Sequence, residues 1–296
     1  MPNIRIAAPI AALAAALILL GAGCAAPHAT RAPGDVPQPA TTGQSLYEQR
    51  LLRAIEAEST LETYAARADA DPPTVERRFQ ETVRLYAEII ADNPESVEAL
   101  LLQGKLLVRY GDTSGALPIL LAALRLDPSI AVTHQQLATC YAESGDSGQA
   151  LVHALAAVDR APDEPVYHYG LGELLYAYAA DYVATGAFSR HQLEDSMLAA
   201  FATAARLDPA NTALQFRYGE TFYDHSRPDW ESAHTHWLAL LQHPDLTPLQ
   251  RDAIRLHLGR CALALDRAAE ARAWAAQVAS EGLLPSRDAL LESIPP

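Results

Sequence analysis

VEALLLQGKLLVRYGDTSGALPILLAALRLDPSI, residues 97–130, decides how the rest of the chain is read. Apolar residues recur at three- and four-residue steps on both sides of Gly111-Asp112, a spacing that predicts two helices rather than strands. Glycine ends a helix readily because it accepts a left-handed backbone, and aspartate then caps the next one. Leu126-Asp127-Pro128 closes the second helix, since proline has no N–H to donate and disfavours helix in the residue before it. The stretch reads as a helical hairpin.

The hairpin recurs. Asp92-Asn93-Pro94, Leu126-Asp127-Pro128 and Arg160-Ala161-Pro162 are spaced by 34 residues. Leu207-Asp208-Pro209 follows 47 residues later, and Gln242-His243-Pro244 follows 35 after that. Gly104, Gly172, Gly219 and Gly259 hold one place in the first helix of their hairpins, with Ala138 at the matching place. Ala116, Ala150, Ala233 and Ala271 sit early in the second helices. A glycine inside a helix costs about 1 kcal/mol relative to alanine, so its recurrence predicts a close approach of two helices. Leu107, Tyr141, Leu175 and Phe222, three residues further on, are expected to fill the space between hairpins. A repeating unit of this length cannot hide its apolar face alone and must stack on its neighbours.

Composition agrees. The chain has 296 residues, 50% of them hydrophobic and 20% charged, which excludes a wholly disordered polyelectrolyte. Its length predicts about two domains or one elongated one. Cys24, Cys140 and Cys261 are far apart, so neither a zinc ribbon nor a disulfide-stapled miniprotein is in view. Cys140 and Cys261, at the same place in two units, read as small buried apolar residues. A net charge of −14 argues against tracking a phosphate backbone.

The recurring small residues, turns and prolines resemble the tetratricopeptide repeat (TPR) family over roughly residues 45–285. The resemblance implies an all-α, right-handed superhelical solenoid of stacked antiparallel hairpins, about five to six repeats. It also implies a concave side that takes a protein or peptide partner. The first unit is irregular, with a long helix expected over about 45–68 and a second over about 74–91. In the unit from 165 the first helix is expected to run on through Tyr178 to Val183, with a longer turn at 186–189. Residues 286–296 read as a short cap.

In TPR proteins a fixed set of first-helix positions lines the groove. Carried onto this sequence, the resemblance nominates Glu143, Tyr169, Glu173, Tyr176, Phe216, Glu220, Tyr223 and Asp224. Aromatic rings are common anchors of binding energy, and the carboxylates select a basic or aromatic partner. Packing between repeats is the competing account of the same rings. The paired Lys and Asn by which some TPRs clamp acidic chaperone tails are absent: Leu101, Val132 and Glu143 stand there, and Lys105 is the only lysine.

The N-terminus reads as an address. Arg5 precedes an apolar run from Ile6 to Leu20, and Leu20-Gly21-Ala22-Gly23-Cys24 resembles a bacterial lipobox, though Gly21 stands where a large aliphatic residue is favoured. Residues 1–23 are thus expected to be a signal peptide, with lipid on Cys24. Ordinary cleavage near Ala26 and an uncleaved anchor are the alternatives, the latter hampered by a run shorter than the ~20 residues a span needs. By resemblance to enterobacterial lipoproteins, Ala25 rather than Asp implies the outer membrane facing the periplasm. Residues 24–44 form a Pro-rich tether that extends on the order of 60 Å.

No nucleophile elbow, zincin motif, Walker loop or dinucleotide fingerprint occurs, so no catalytic residue, cofactor or metal site is expected. His225, His234, His236 and His243 lie near one another in sequence, but His234 and His236 are two apart and face different sides of a helix. They read as solvent-exposed, and His153, His168, His191 and His257 read as isolated helix-face residues. The expected function is a lipid-anchored envelope scaffold, pilotin-like or an adaptor. A spacer without a groove ligand is the alternative. Least favoured is a glycan-modifying enzyme using Glu173 and Glu220 as facing carboxylates.

Overall fold

The computed structural model describes residues 45–295, so the signal peptide, Cys24 and the whole tether lie outside the described residues. Among these residues there are fourteen α-helices, one short 3-10 turn and no strand. The chain falls into two compact units that meet at Pro162 and Asp163.

The first unit holds α1 (Leu46–Ala65), α2 (Pro72–Asp92), α3 (Val97–Arg109), α4 (Thr113–Leu126), α5 (Ala131–Glu143) and α6 (Ser147–Arg160). They pack as three successive hairpins, each against the next. The turn chemistry is the one the sequence asks for. Gly111 and Gly145 take φ of 82° and 83°, a left-handed backbone that glycine adopts without strain. That lets the Asp112 N–H donate to Leu107 O at 2.9 Å, and the Asp146 N–H to Tyr141 O at 2.9 Å. The same aspartates cap α4 and α6 by accepting from Gly115 N–H and Gln149 N–H. Leu61, Tyr86, Leu106, Leu120, Leu137 and Cys140 form the core between hairpins.

The second unit is less regular. It holds α7 (Pro165–Ala177), α8 (Ala179–Ala184), α9 (Arg190–Leu207), α10 (Thr212–Asp224), α11 (Trp230–Leu240), α12 (Pro248–Ala264), α13 (Ala268–Ala275) and α14 (Leu284–Ser293). The first helix of its opening hairpin does not run on to Val183 as the sequence reading expected. It stops at Ala177, Tyr178 leaves helical geometry at φ −105° and ψ 21°, and α8 begins afresh. The extra residues form this separate short helix, and the real hairpin partner of α7 is α9. At the final hairpin turn, Asp266 takes the place of glycine at φ 59°. The bond it enables is the same: Arg267 N–H donates to Ala262 O at 2.8 Å. α14 caps the end, Leu290 packing with Leu256, Ala275 and Val278.

The recurring glycines do bring helices together. A Cβ on Gly104 would meet Leu120 at 2.4 Å, one on Gly172 would meet Phe201 at 2.7 Å, and one on Gly219 would meet Trp237 at 2.5 Å. Gly259 departs from the pattern, because the side chain it admits is Leu290 of the cap.

Candidate functional site

The second unit brings most of the expected groove residues together around an arginine that sequence reasoning did not nominate. Arg217 sits on α10, one residue after Phe216. Its Nε donates to Glu173 Oε1 on α7 at 2.6 Å. Its Nη1 donates to Asp224 Oδ2, two turns along α10, at 2.9 Å. The Arg217 side chain is 13% exposed. Its guanidinium lies 4.8 Å from the Tyr176 ring centroid and 4.2 Å from that of Phe201. Burial pulls the Arg217 pKa down, but the two carboxylates outweigh it and the net direction is up. The arginine is a fixed positive centre, neutralised by its own chain and sandwiched by two rings.

Tyr176 is the open member of the set, 47% exposed. Burial, then the Asp224 charge, raises its phenol pKa. Tyr169 lies edge-on to Phe201 with centroids 5.8 Å apart, and burial followed by the Glu173 charge pushes its pKa up to about 12. Glu220 lies 3.9 Å from His257 Nε2. Burial lifts the Glu220 pKa despite the opposing pull of Arg217. Burial, then Arg260, lowers His257 to about 3, so at neutral pH it brings no charge to that contact.

Phe216 and Tyr223 are engaged elsewhere. Both pack against the cluster of Phe222, Trp237, Ile254 and Leu258. Tyr223 stacks on Trp230 at 5.0 Å and accepts a hydrogen bond from the Trp237 indole, and His257 stacks on Trp237 at 4.2 Å with planes 8° apart. Burial drives the Tyr223 pKa far above the usual range for a phenol. Glu143 belongs to the other unit, where it accepts from Thr113 Oγ1 at 2.9 Å. The two carboxylates of the enzyme reading are unlike each other, because Glu173 is held in an ion pair with Arg217.

The histidines depart from expectation. His234 is 7% exposed, with Nε2 2.8 Å from Glu270 Oε1, and His236 Nε2 lies 2.8 Å from the Gln215 carbonyl. The solvent-exposed reading is therefore wrong for this pair: α11 is short and both of its flanks are covered. His153 is not isolated either, since it is 8% exposed and bonded to His134. Among the described residues no group of three His, Cys, Asp or Glu gathers to hold a metal ion.

Arg217 carried one sequence signal that could have found it, the seven-residue step to Asp224 on one helix face. Its bond to Glu173, 44 residues away, is visible only in the fold.

Comparison with known proteins places this geometry. A tetratricopeptide repeat family model matches residues 76–129. The structure of YrrB, described as a TPR protein with an unusual peptide-binding site, superposes with a TM-score of 0.55 at 15% identity, covering 70% of this chain and 96% of that one. The pilF protein of Pseudomonas aeruginosa superposes with a TM-score of 0.52 at 13% identity, covering 82% and 97%. IFIT1 with m7Gppp-AAAA gives 0.51 at 18%, covering 83% and 54%. At these identities the likeness is one of fold, and that fold hosts ligands of different kinds. The match at 76–129 and these superpositions together make the chain an all-helical protein of TPR-like hairpins.

Proposed function

We propose that the chain is a non-catalytic scaffold that holds a segment of a protein partner against the first-helix face of residues 163–295. The observation that carries this is Tyr176, an aromatic ring nearly half exposed and in contact with the fixed guanidinium of Arg217. Rings held rigidly at a surface give contact area at little entropic cost. Tyr169 and Glu220 flank it in the proposed face. Phe216 and Tyr223 contribute by fixing α10, and Glu173 and Asp224 by fixing Arg217. The tetratricopeptide match favours a protein or peptide ligand, and the acidic chain disfavours nucleic acid.

The finer reading is a lipid-anchored scaffold of a bacterial envelope, on the outer membrane facing the periplasm, with an assembly role of the pilotin-like or adaptor kind. It rests on residues 1–24 and on the repeat layout. No described helix is long and apolar enough to cross a membrane. A spacer without a groove ligand is the second reading, and the packing of Phe216 and Tyr223 into the core favours it.

The test is a pull-down of the detergent-solubilised, tagged full chain from native membranes beside a Tyr169→Ser/Tyr176→Ser variant. A companion retained by the intact form and lost from the variant supports the proposed face. Companions unchanged between the two, or none with either, support the spacer. Cys24→Ala tests the anchor: the protein should leave the membrane fraction, and retention there would refute lipidation.

A further inference from the structure

The proposed binding face makes no use of a pair of histidines in residues 45–162. His134 on α5 and His153 on α6 are 6% and 8% exposed. Their Nδ1 atoms are 2.9 Å apart, so one of them carries a hydrogen and the other does not. The far side of His134 settles which. Its Nε2 lies 3.2 Å from the Pro128 carbonyl oxygen, which only accepts. His134 therefore carries its hydrogen on Nε2 and accepts at Nδ1, and His153 donates from Nδ1. The same Pro128 oxygen accepts from Arg160 Nε at 2.7 Å. The Tyr141 ring lies flat on His153, with centroids 5.4 Å apart and planes 4° apart. Two helices and the turn bearing the repeat proline are joined by this one chain of bonds.

We propose that the His134–His153 pair is an acid-released latch, fastening the α4–α5 turn to the α5–α6 hairpin and letting go when the pair takes up protons. The reason is a count of hydrogens. The neutral pair places one N–H on the line between the rings. A first added proton goes to His153 Nε2 and leaves that bond intact, but it creates a cation in a buried place. A second has only His134 Nδ1 to go to. That sets N–H against N–H, and one ring must swing away, loosening the hold on Pro128.

The Pro128 carbonyl favours a proton on His134, but no carboxylate is among the charges acting on either ring, and Asp127 in the same turn accepts from Ser129. Arg160 of α6 has the same sign, and Tyr141 of α5 is neutral. Glu143 of α5 is occupied by Thr113, and Asp159 of α6 is exposed. Arg125 of α4 is exposed, and Glu98, Lys105 and Arg109 of α3 pair with neither ring. Burial holds both imidazoles below their ordinary value; at His134 the Pro128 carbonyl pulls the other way without overcoming burial and Arg160, and at His153 first His134 and then Arg160 add to burial. The unfolded chain therefore binds more protons below a pH of about 6.5. The latch stabilises fully above that pH and loses its contribution as pH falls below it.

Hydrogen exchange on the full chain between pH 8 and pH 5, corrected for intrinsic rates, tests this. Opening of the amides in 127–160 should rise about tenfold per pH unit for each proton taken up, while the amides of α1 and α2, which carry no histidine, stay flat. The His134→Gln/His153→Asn variant keeps hydrogen-bonding groups near the same positions and removes the titration, so its profile should be flat throughout. A flat profile for the natural chain, or the same slope in the variant, overturns the latch. If the variant does not fold, nitrogen NMR of the natural chain decides. One bonded Nδ1–H at pH 8 and both rings titrating below about 6.5 support it. Either ring titrating at or above that value overturns it.

Discussion

Residues 45–162 and residues 163–295 are built from the same hairpin, and they differ in how closely they keep to it. The first unit keeps the 34-residue beat, turns on Gly111 and Gly145, and carries no ring at the nominated groove positions. Arg109, at the end of α3, is satisfied by Glu58 and Glu62 of α1. The second unit inserts α8, turns on Asp266 instead of glycine, and gathers Tyr169, Tyr176, Phe201 and Phe216 around α10. Regularity goes with a plain face and irregularity with an aromatic one. Local rules relaxed in one region of a repeat protein point to that region as the place where the surface serves something besides folding.

The difference can be broken deliberately. The largest effect is expected from Trp237→Ala, which empties a fully buried site next to His257 and Tyr223; a loss of about 3–5 kcal/mol should appear in denaturant unfolding of the second unit. Next is Arg217→Ala. It strands Glu173 and Asp224 together, and about 3 kcal/mol should be lost, read by the same denaturant unfolding.

Acidification should separate the units' ends. Burial opposes ionisation of Asp252, but bonds from Ser280, from the Ala279 and Ser280 N–H groups and from Arg255 outweigh it and bring its pKa down to about 2. The unfolded carboxyl titrates near 3.9, so the unfolded state binds more protons in between. The contribution of about 2.6 kcal/mol is present above that value and lost as pH falls toward 2. Exchange at the α12–α14 contacts measures it, and Asp252→Asn should abolish the dependence.

The smallest effects sharpen the comparison instead of breaking it. Asp266→Gly should stabilise the last hairpin by up to about 1 kcal/mol, because aspartate holds a left-handed backbone there at a cost that Gly111 and Gly145 avoid. Gly219→Ala should destabilise more than Gly104→Ala. The new Cβ meets the rigid Trp237 ring in one case and the movable Leu120 side chain in the other. Thermal midpoints of the two variants measured side by side check this.

The hairpins were legible because their signals are local. Gly111-Asp112 ends one helix and caps the next whatever surrounds it, and Pro128 stops α4 by its own chemistry. The face was legible only as a set of positions. That Tyr223 is packed depends on Trp230 and Trp237 of α11 and His257 of α12. The break at Tyr178 was hidden for a related reason. Its sequence, Ala177-Tyr178-Ala179-Ala180, favours helix throughout, and local propensity is overridden by how α8 packs on α9. The His134–His153 bond joins residues 19 apart on two helices, and no spacing rule marks such a pair.

The most direct test of the binding face is site-specific photo-crosslinking in cells that express the full chain. A light-activated phenylalanine analogue would replace Tyr176 in one strain and Val152, 58% exposed on α6 of the first unit, in another. The account expects a discrete protein adduct from position 176 and none from position 152. An adduct from 152 alone, equal adducts from both, or none from either would contradict it.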